Sequence, residues 1–134
     1  MEEYIDKEAY ELSLGQKQRI TIAGVLALKP KCIVMDEPTA MLDPEGKENI
    51  RNIVKELKNI GYTIIYITNI IDEIFISDRV IVLENGEVVR EFKTEDTLEN
   101  IDFLKEKEIT IPKSVEIMKM LKEKGIEVKL DDLI

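Results

Sequence analysis

The chain has 134 residues, 44% apolar but only 5% aromatic, with a formal net charge of −9 and a pI near 4.7. That length suits one domain with an aliphatic core, and the acidity argues against direct nucleic-acid binding, which needs a basic surface to neutralise phosphates. With no histidine and a single cysteine, His-based metal sites, His-based catalytic triads and internal disulfides are excluded.

The negative charge itself is read as a source of solubility. No apolar stretch approaches the roughly 20 residues that a spanning helix needs. No signal peptide is visible, so a reducing cytoplasm is the expected compartment.

In chain order, residues 1–12 are polar and acidic and read as a connector. Ser13-x-x-Gln16 is a capping box that opens a helix, with Ser13 as N-cap. Ile20, Ala23, Val25, Leu26 and Ala27 carry a largely apolar helix to Lys29-Pro30, where it must stop. Cys32-Ile33-Val34-Met35 then reads as a buried strand that ends in paired carboxylates, Asp36-Glu37. Cys32 is expected there as a small buried hydrophobe.

Asp43-Pro44 is an N-cap followed by proline at the first helical position. Ile50, Ile53, Val54 and Leu57 form the apolar face of the helix that follows, and Gly61 closes it. Residues 63–68 read as a second buried strand and 70–77 as a short helix. Residues 79–83 and 87–92 read as strands joined by the tight turn Asn85-Gly86. Strand, helix, strand, helix, strand is a parallel α/β pattern. Residues 95–107 and 112–124 read as two amphipathic helices, and 126–130 as a short edge strand, with a subdomain boundary at 93–96.

Three segments carry chemistry. Glu11-Leu12-Ser13-Leu14-Gly15-Gln16-Lys17-Gln18-Arg19 opens a helix whose N-terminus offers backbone N–H groups to an anion, with Gly15 permitting close approach. Asp36-Glu37 delivers two acids at a strand end. Pro38-Thr39-Ala40-Met41-Leu42-Asp43-Pro44 follows. In this order and spacing they resemble the signature motif, Walker B strand and D-loop of the second half of an ABC-type ATPase domain. Ile109-Thr110-Ile111-Pro112, with Val115, Ile117, Met118, Met120 and Leu121 after it, is similar to the C-terminal extension of energy-coupling-factor transporter ATPases, including the cobalt-type importers. An amphipathic helix that merely covers the core fits the same apolar stripe.

The resemblance implies a partial P-loop NTPase core of parallel strands and flanking helices, with a β-hairpin and a small helical extension. Residues 1–93 would be the C-terminal half of the ATPase domain and 94–134 a dimerisation subdomain. It implies ATP and Mg²⁺ as cofactors of a two-subunit site. Ser13, Gly15 and Gln16 would contact the terminal phosphate of ATP held by the opposing subunit. Leu14 stands where the family has its first glycine. Asp36 would act at the metal's water shell and Glu37 on the attacking water. Asp43 would communicate across the dimer. Asn69 replaces the histidine that the family places after its second strand, and an amide cannot carry charge or shuttle a proton. Weak or absent hydrolysis is therefore expected.

The only Gly-Lys pair, Gly46-Lys47, is followed by Glu48 and preceded by Met41 where the phosphate loop needs glycine. The Walker A loop, the Q-loop glutamine region and the base-stacking aromatic are all missing from these residues. Alone, the chain is expected to be inactive. The leading reading is a fragment of an ATPase subunit of an importer for cobalt, another transition metal or a vitamin. Such a subunit is cytoplasmic, lies on the inner face of the membrane, and pairs with a second ATPase subunit and with membrane transporter subunits. The alternative is a non-catalytic module that pairs with a full-length homologue. A repair-type ATPase is disfavoured because no long heptads precede the signature. In the family the Walker A strand lies between the strands matching 63–68 and 79–83, so these are expected to show unmatched edges or to hide them by self-association.

Overall fold

The computed structural model describes residues 8–126. They fall into two compact units, which divide between Ile67 and Thr68.

In the first unit, Glu8 and Glu11 cap a short 3₁₀ turn over Ala9–Glu11. Helix α1 follows over Leu14–Ala27. Strand β1, Cys32–Asp36, pairs in parallel with β2, Thr63–Ile67, in the register Cys32↔Thr63 to Asp36↔Ile67. Helix α2, Pro44–Asn59, is the crossover between them. It forms where expected because Asp43 and Pro44 fix its start. Its end is the left-handed Gly61, with φ +95°. Ile50, Val54 and Leu57 recur at helical spacing and are buried, as are Ile33 and Met35 from the strand.

Two expectations fail here for one reason. β1 is buried on one face only: Ile33 and Met35 point in, while Cys32, Val34 and Asp36 point out and are exposed. β2 alternates in the same way, with Ile65 and Ile67 exposed. Cys32 is therefore a surface residue rather than a buried hydrophobe. Side chains alternate across a strand, and among the described residues only one face of this two-stranded sheet is covered. Helix α1 tells the same story. It is apolar nearly all round, yet only Ile22 is buried.

The second unit opens with the 3₁₀ run Ile71–Ile76. Strands β3, Arg79–Glu84, and β4, Glu87–Lys93, form an antiparallel hairpin. Asn85 and Gly86 both have positive φ, +51° and +81°, the backbone of a type I′ turn. A bulge between Val82 and Leu83 shifts the register. Among the described residues β2 pairs only with β1, and β3 only with β4.

Residues 95–107 are not one amphipathic helix. A 3₁₀ segment over Thr94–Asn100 precedes the short helix α3, Ile101–Glu106. Thr97 Oγ1 donates to the Thr94 carbonyl at 2.6 Å, a local bond that competes with regular helix geometry. Helix α4, Lys113–Glu123, follows Pro112. Leu98, Ile101, Val115 and Met118 form one buried cluster. Ile71, Val82 and Leu104 form another, and Ile111 packs against both. The helices thus pack on the hairpin and on the Ile71–Ile76 run, and the boundary placed at 93–96 falls inside this unit. Most of the strand expected over 126–130 lies outside the described residues.

Candidate functional site

The site is built at the starts of α1 and α2. Ser13 is extended (φ −64°, ψ 161°), and its Oγ accepts from the Gln16 N–H at 3.3 Å. Gln16 Oε1 accepts in return from the Ser13 N–H at 2.9 Å. This reciprocal box pins the first turn of α1 and aims its remaining N–H groups outward. Asp43 does the same for α2, its Oδ1 accepting from the Gly46 N–H at 2.9 Å.

The loop between β1 and α2 brings the two helix starts together. The Glu37 N–H donates to the Ile67 carbonyl at 2.9 Å, so the parallel ladder reaches one residue past β1. Glu37 then turns left-handed, with φ +43°, and its carbonyl accepts from Ala40 at 3.0 Å. Positive φ in a residue other than glycine is uncommon and costs free energy. Met41, with φ +62°, makes a second such turn. Pro38 and Thr39 are buried beneath the loop. Asp36 and Glu37 are both exposed.

The result is a shallow cleft of about 380 Å³. Ser13, Gly15 and Gln16 line one wall, and Leu42, Asp43 and Gly46 the other. A Cβ built on Gly15 would meet Leu42 Cδ2 at 3.9 Å, an ordinary contact. The fold therefore does not require glycine at position 15. Gly46 is different: a Cβ there would lie 2.7 Å from Asp43 Oδ1 and 3.2 Å from Leu42 Cβ. A side chain there would force Asp43 Oδ1 and Leu42 to shift.

Four of the residues singled out from sequence, Ser13, Gly15, Gln16 and Asp43, thus share one cleft. Asp36 and Glu37 sit together at the end of β1 but do not line it. Asn69 belongs to the second unit, exposed in the turn before Ile71–Ile76. Arg19 and Leu42, which lie in the segments named above but were given no role, and Asn49, which was not anticipated, also line the cleft. Arg19 was legible in principle, being three residues from Gln16 on one helix face.

Known proteins match this chain. A family model described as ABC transporter matches residues 1–40. The energy-coupling factor transporter ATP-binding protein EcfA1 of Caldanaerobacter subterraneus subsp. tengcongensis is 42% identical over 134 residues, 99% of this chain and 48% of that protein. Over nearly its whole length the chain is similar to about half of an ABC transporter ATP-binding protein. Among solved structures, cbiO1 from Clostridium perfringens, described as part of the ABC transporter complex cbiONQ, superposes with a TM-score of 0.67 at 35% identity. That match covers 89% of this chain and 48% of that one. An ATP-binding cassette solved as a dimer in a post-hydrolysis state with ADP and Pi matches with a TM-score of 0.62 at 37% identity, over 69% of this chain and 40% of that one.

The chain spans about half the length of the curated relatives it matches. Its architecture is that of a P-loop NTPase cassette of the ABC type, with a parallel strand pair and a hairpin. No helix among the described residues is long and apolar enough to cross a membrane.

Proposed function

We propose that this chain carries the signature half of an ATP-hydrolysing subunit of an energy-coupling-factor importer. One observation supports this most. The capped start of α1 faces the D-loop across a cleft, with a glycine at position 15 for which the fold itself has no steric need. A close approach of phosphate to the Gly15 backbone supplies that need.

The residues present fit Mg²⁺-ATP. Among the described residues no three acidic, histidine or cysteine side chains converge on one point. Mg²⁺ does not need such a cage, because it commonly takes one or two carboxylates beside substrate phosphates and water. Asp36 would hold the metal through that water shell. The bound metal would neutralise charge on the phosphates. Glu37, fixed by its N–H bond to Ile67, orients or deprotonates the attacking water. Ser13 and Gln16 hold the anion-binding turn, and Asp43 sets the facing loop. Asn69 donates a hydrogen bond where the family has a base, so Asn69→His should raise turnover in the assembled enzyme.

The remaining parts come from elsewhere: a phosphate loop, a second ATPase subunit, and membrane subunits that select the cargo. That cargo is cobalt, another transition metal or a vitamin, and the subunit works on the cytoplasmic face of the membrane. The test is Mg-ATP binding by calorimetry, on the chain alone and with a subunit that bears a phosphate loop. Binding only in the mixture is expected. Saturable binding to the chain alone would sink the half-site reading.

A second reading has an observation of its own. Ile117 and Met120 on α4 remain exposed although Val115 and Met118 are buried. This stripe supports residues 94–134 as a pairing surface, in a module that dimerises without catalysis. Sedimentation of Met120→Lys against wild type tests that surface: a lost dimer supports it, and an undiminished dimer removes it.

A further inference from the structure

Glu73 is only 1% exposed, within a 3₁₀ run of sequence Ile-Asp-Glu-Ile-Phe-Ile. Burying a carboxyl is costly unless its oxygens find donors. Thr68 Oγ1 donates to Glu73 Oε2 at 2.5 Å, a short hydroxyl bond to a carboxyl oxygen. The same Thr68 oxygen accepts from the Ile70 N–H at 3.0 Å. The Glu73 N–H donates to the Ile70 carbonyl at 3.1 Å. Three bonds thus close residues 68–73 into a ring. Thr68 and Ile70 are half-buried, and Asn69 between them is exposed.

A threonine hydroxyl has one proton and two lone pairs. With a Glu73 oxygen accepting that proton, a lone pair is left facing Ile70. Without that acceptor the hydroxyl can rotate, and the Ile70 N–H loses its fixed partner. We propose that Glu73 is a positioning residue that sets the backbone on either side of Asn69 through the Thr68 hydroxyl. Glu73 does not itself touch nucleotide. The proposal rests on the reading of Asn69 as the residue facing the terminal phosphate.

Two measurements test it. The first is amide hydrogen exchange on the full chain. Thr68→Val and Glu73→Leu should speed exchange at Ile70 by about tenfold, the factor one hydrogen bond supplies. Thr68→Ser and Glu73→Gln, which keep the donor and the acceptor, should stay near wild type, and Ile101 and Val115 should not change in any variant. The second is turnover of the assembled ATPase in the Asn69→His background. There the two disruptive variants should lower kcat about tenfold with KM unchanged, and the conservative pair should restore it. Unchanged Ile70 exchange in Glu73→Leu overturns the proposal, as does faster exchange with unaltered kcat. If Glu73→Leu fails to fold, Thr68→Val decides on the same readouts. An assembly with no turnover in any variant would end the nucleotide role assigned to Asn69, while Ile70 exchange would still decide whether Glu73 holds the turn.

Discussion

Helices α1 and α2 each begin with a side chain folded over their own first turn, whereas α4 begins after Pro112 with no side-chain cap. The capped starts line the cleft. The uncapped one is held by Val115 and Met118 in a buried cluster. At the two starts that line the cleft, the geometry is fixed locally, within three residues of sequence; at the start of α4, tertiary packing suffices.

The contrast can be broken from either side. The largest effect is expected from Ile101→Ala, since Ile101 is fully buried in the cluster that holds α4. It should lower stability by about 3 kcal/mol, read as a lower urea midpoint, and a loss under about 1 kcal/mol would mean that packing does not hold α4. Next comes a pair of glycines. Gly24 has nothing within 4 Å of a built Cβ, whereas Gly46 would strike Asp43 Oδ1. Gly24→Ala should stabilise and Gly46→Ala should not, with about 1–2 kcal/mol between them. Equal effects would show that the Asp43 cap tolerates a methyl group.

Smaller still, Ser13→Ala and Asp43→Ala should each cost about 1 kcal/mol, while Ser114→Ala in the first turn of α4 should stay within about 0.5. A comparable loss at Ser114 would erase the distinction drawn above. The smallest effect concerns the Lys119–Asp102 pair at 2.6 Å, which ties α4 to α3. The Lys119 hydrogen bond and charge hold the Asp102 carboxyl below the usual range. A depressed folded value means the pair's contribution is full above the ordinary carboxylate range and is lost as pH falls through the folded value. Both groups reach solvent, so the contribution is slight. Lys119→Met should move the Asp102 titration, followed by carboxyl NMR, back up. An unmoved titration would remove Lys119 as the cause.

Local features were legible in the sequence. The Ser13–Gln16 box, the Asp43 cap, the stop at Gly61 and the Asn85-Gly86 turn all depend on residues within a few positions of one another, and all four formed as read. What depended on a distant neighbour was not legible. Cys32 looked buried because apolar runs usually are, but burial needs a covering layer, and the outer face of β1 has none among the described residues. The Thr94–Asn100 segment left helix geometry for a hydroxyl bond that periodicity cannot register. Glu73 carried no signal of its own in the sequence, because its partner Thr68 becomes visible only once the turn is folded.

Among the described residues β2 has an open edge, with Val34, Ile65 and Ile67 exposed on the outer face of the sheet, and this also bears on their fate in a cell. Unpaired strand edges beside branched aliphatic side chains are the kind of surface that aggregates and that chaperones and proteases engage. A chain presenting that surface uncovered would have a lifetime set by quality control. Its abundance would then track the supply of whatever covers it, coupling assembly to degradation without a dedicated regulator.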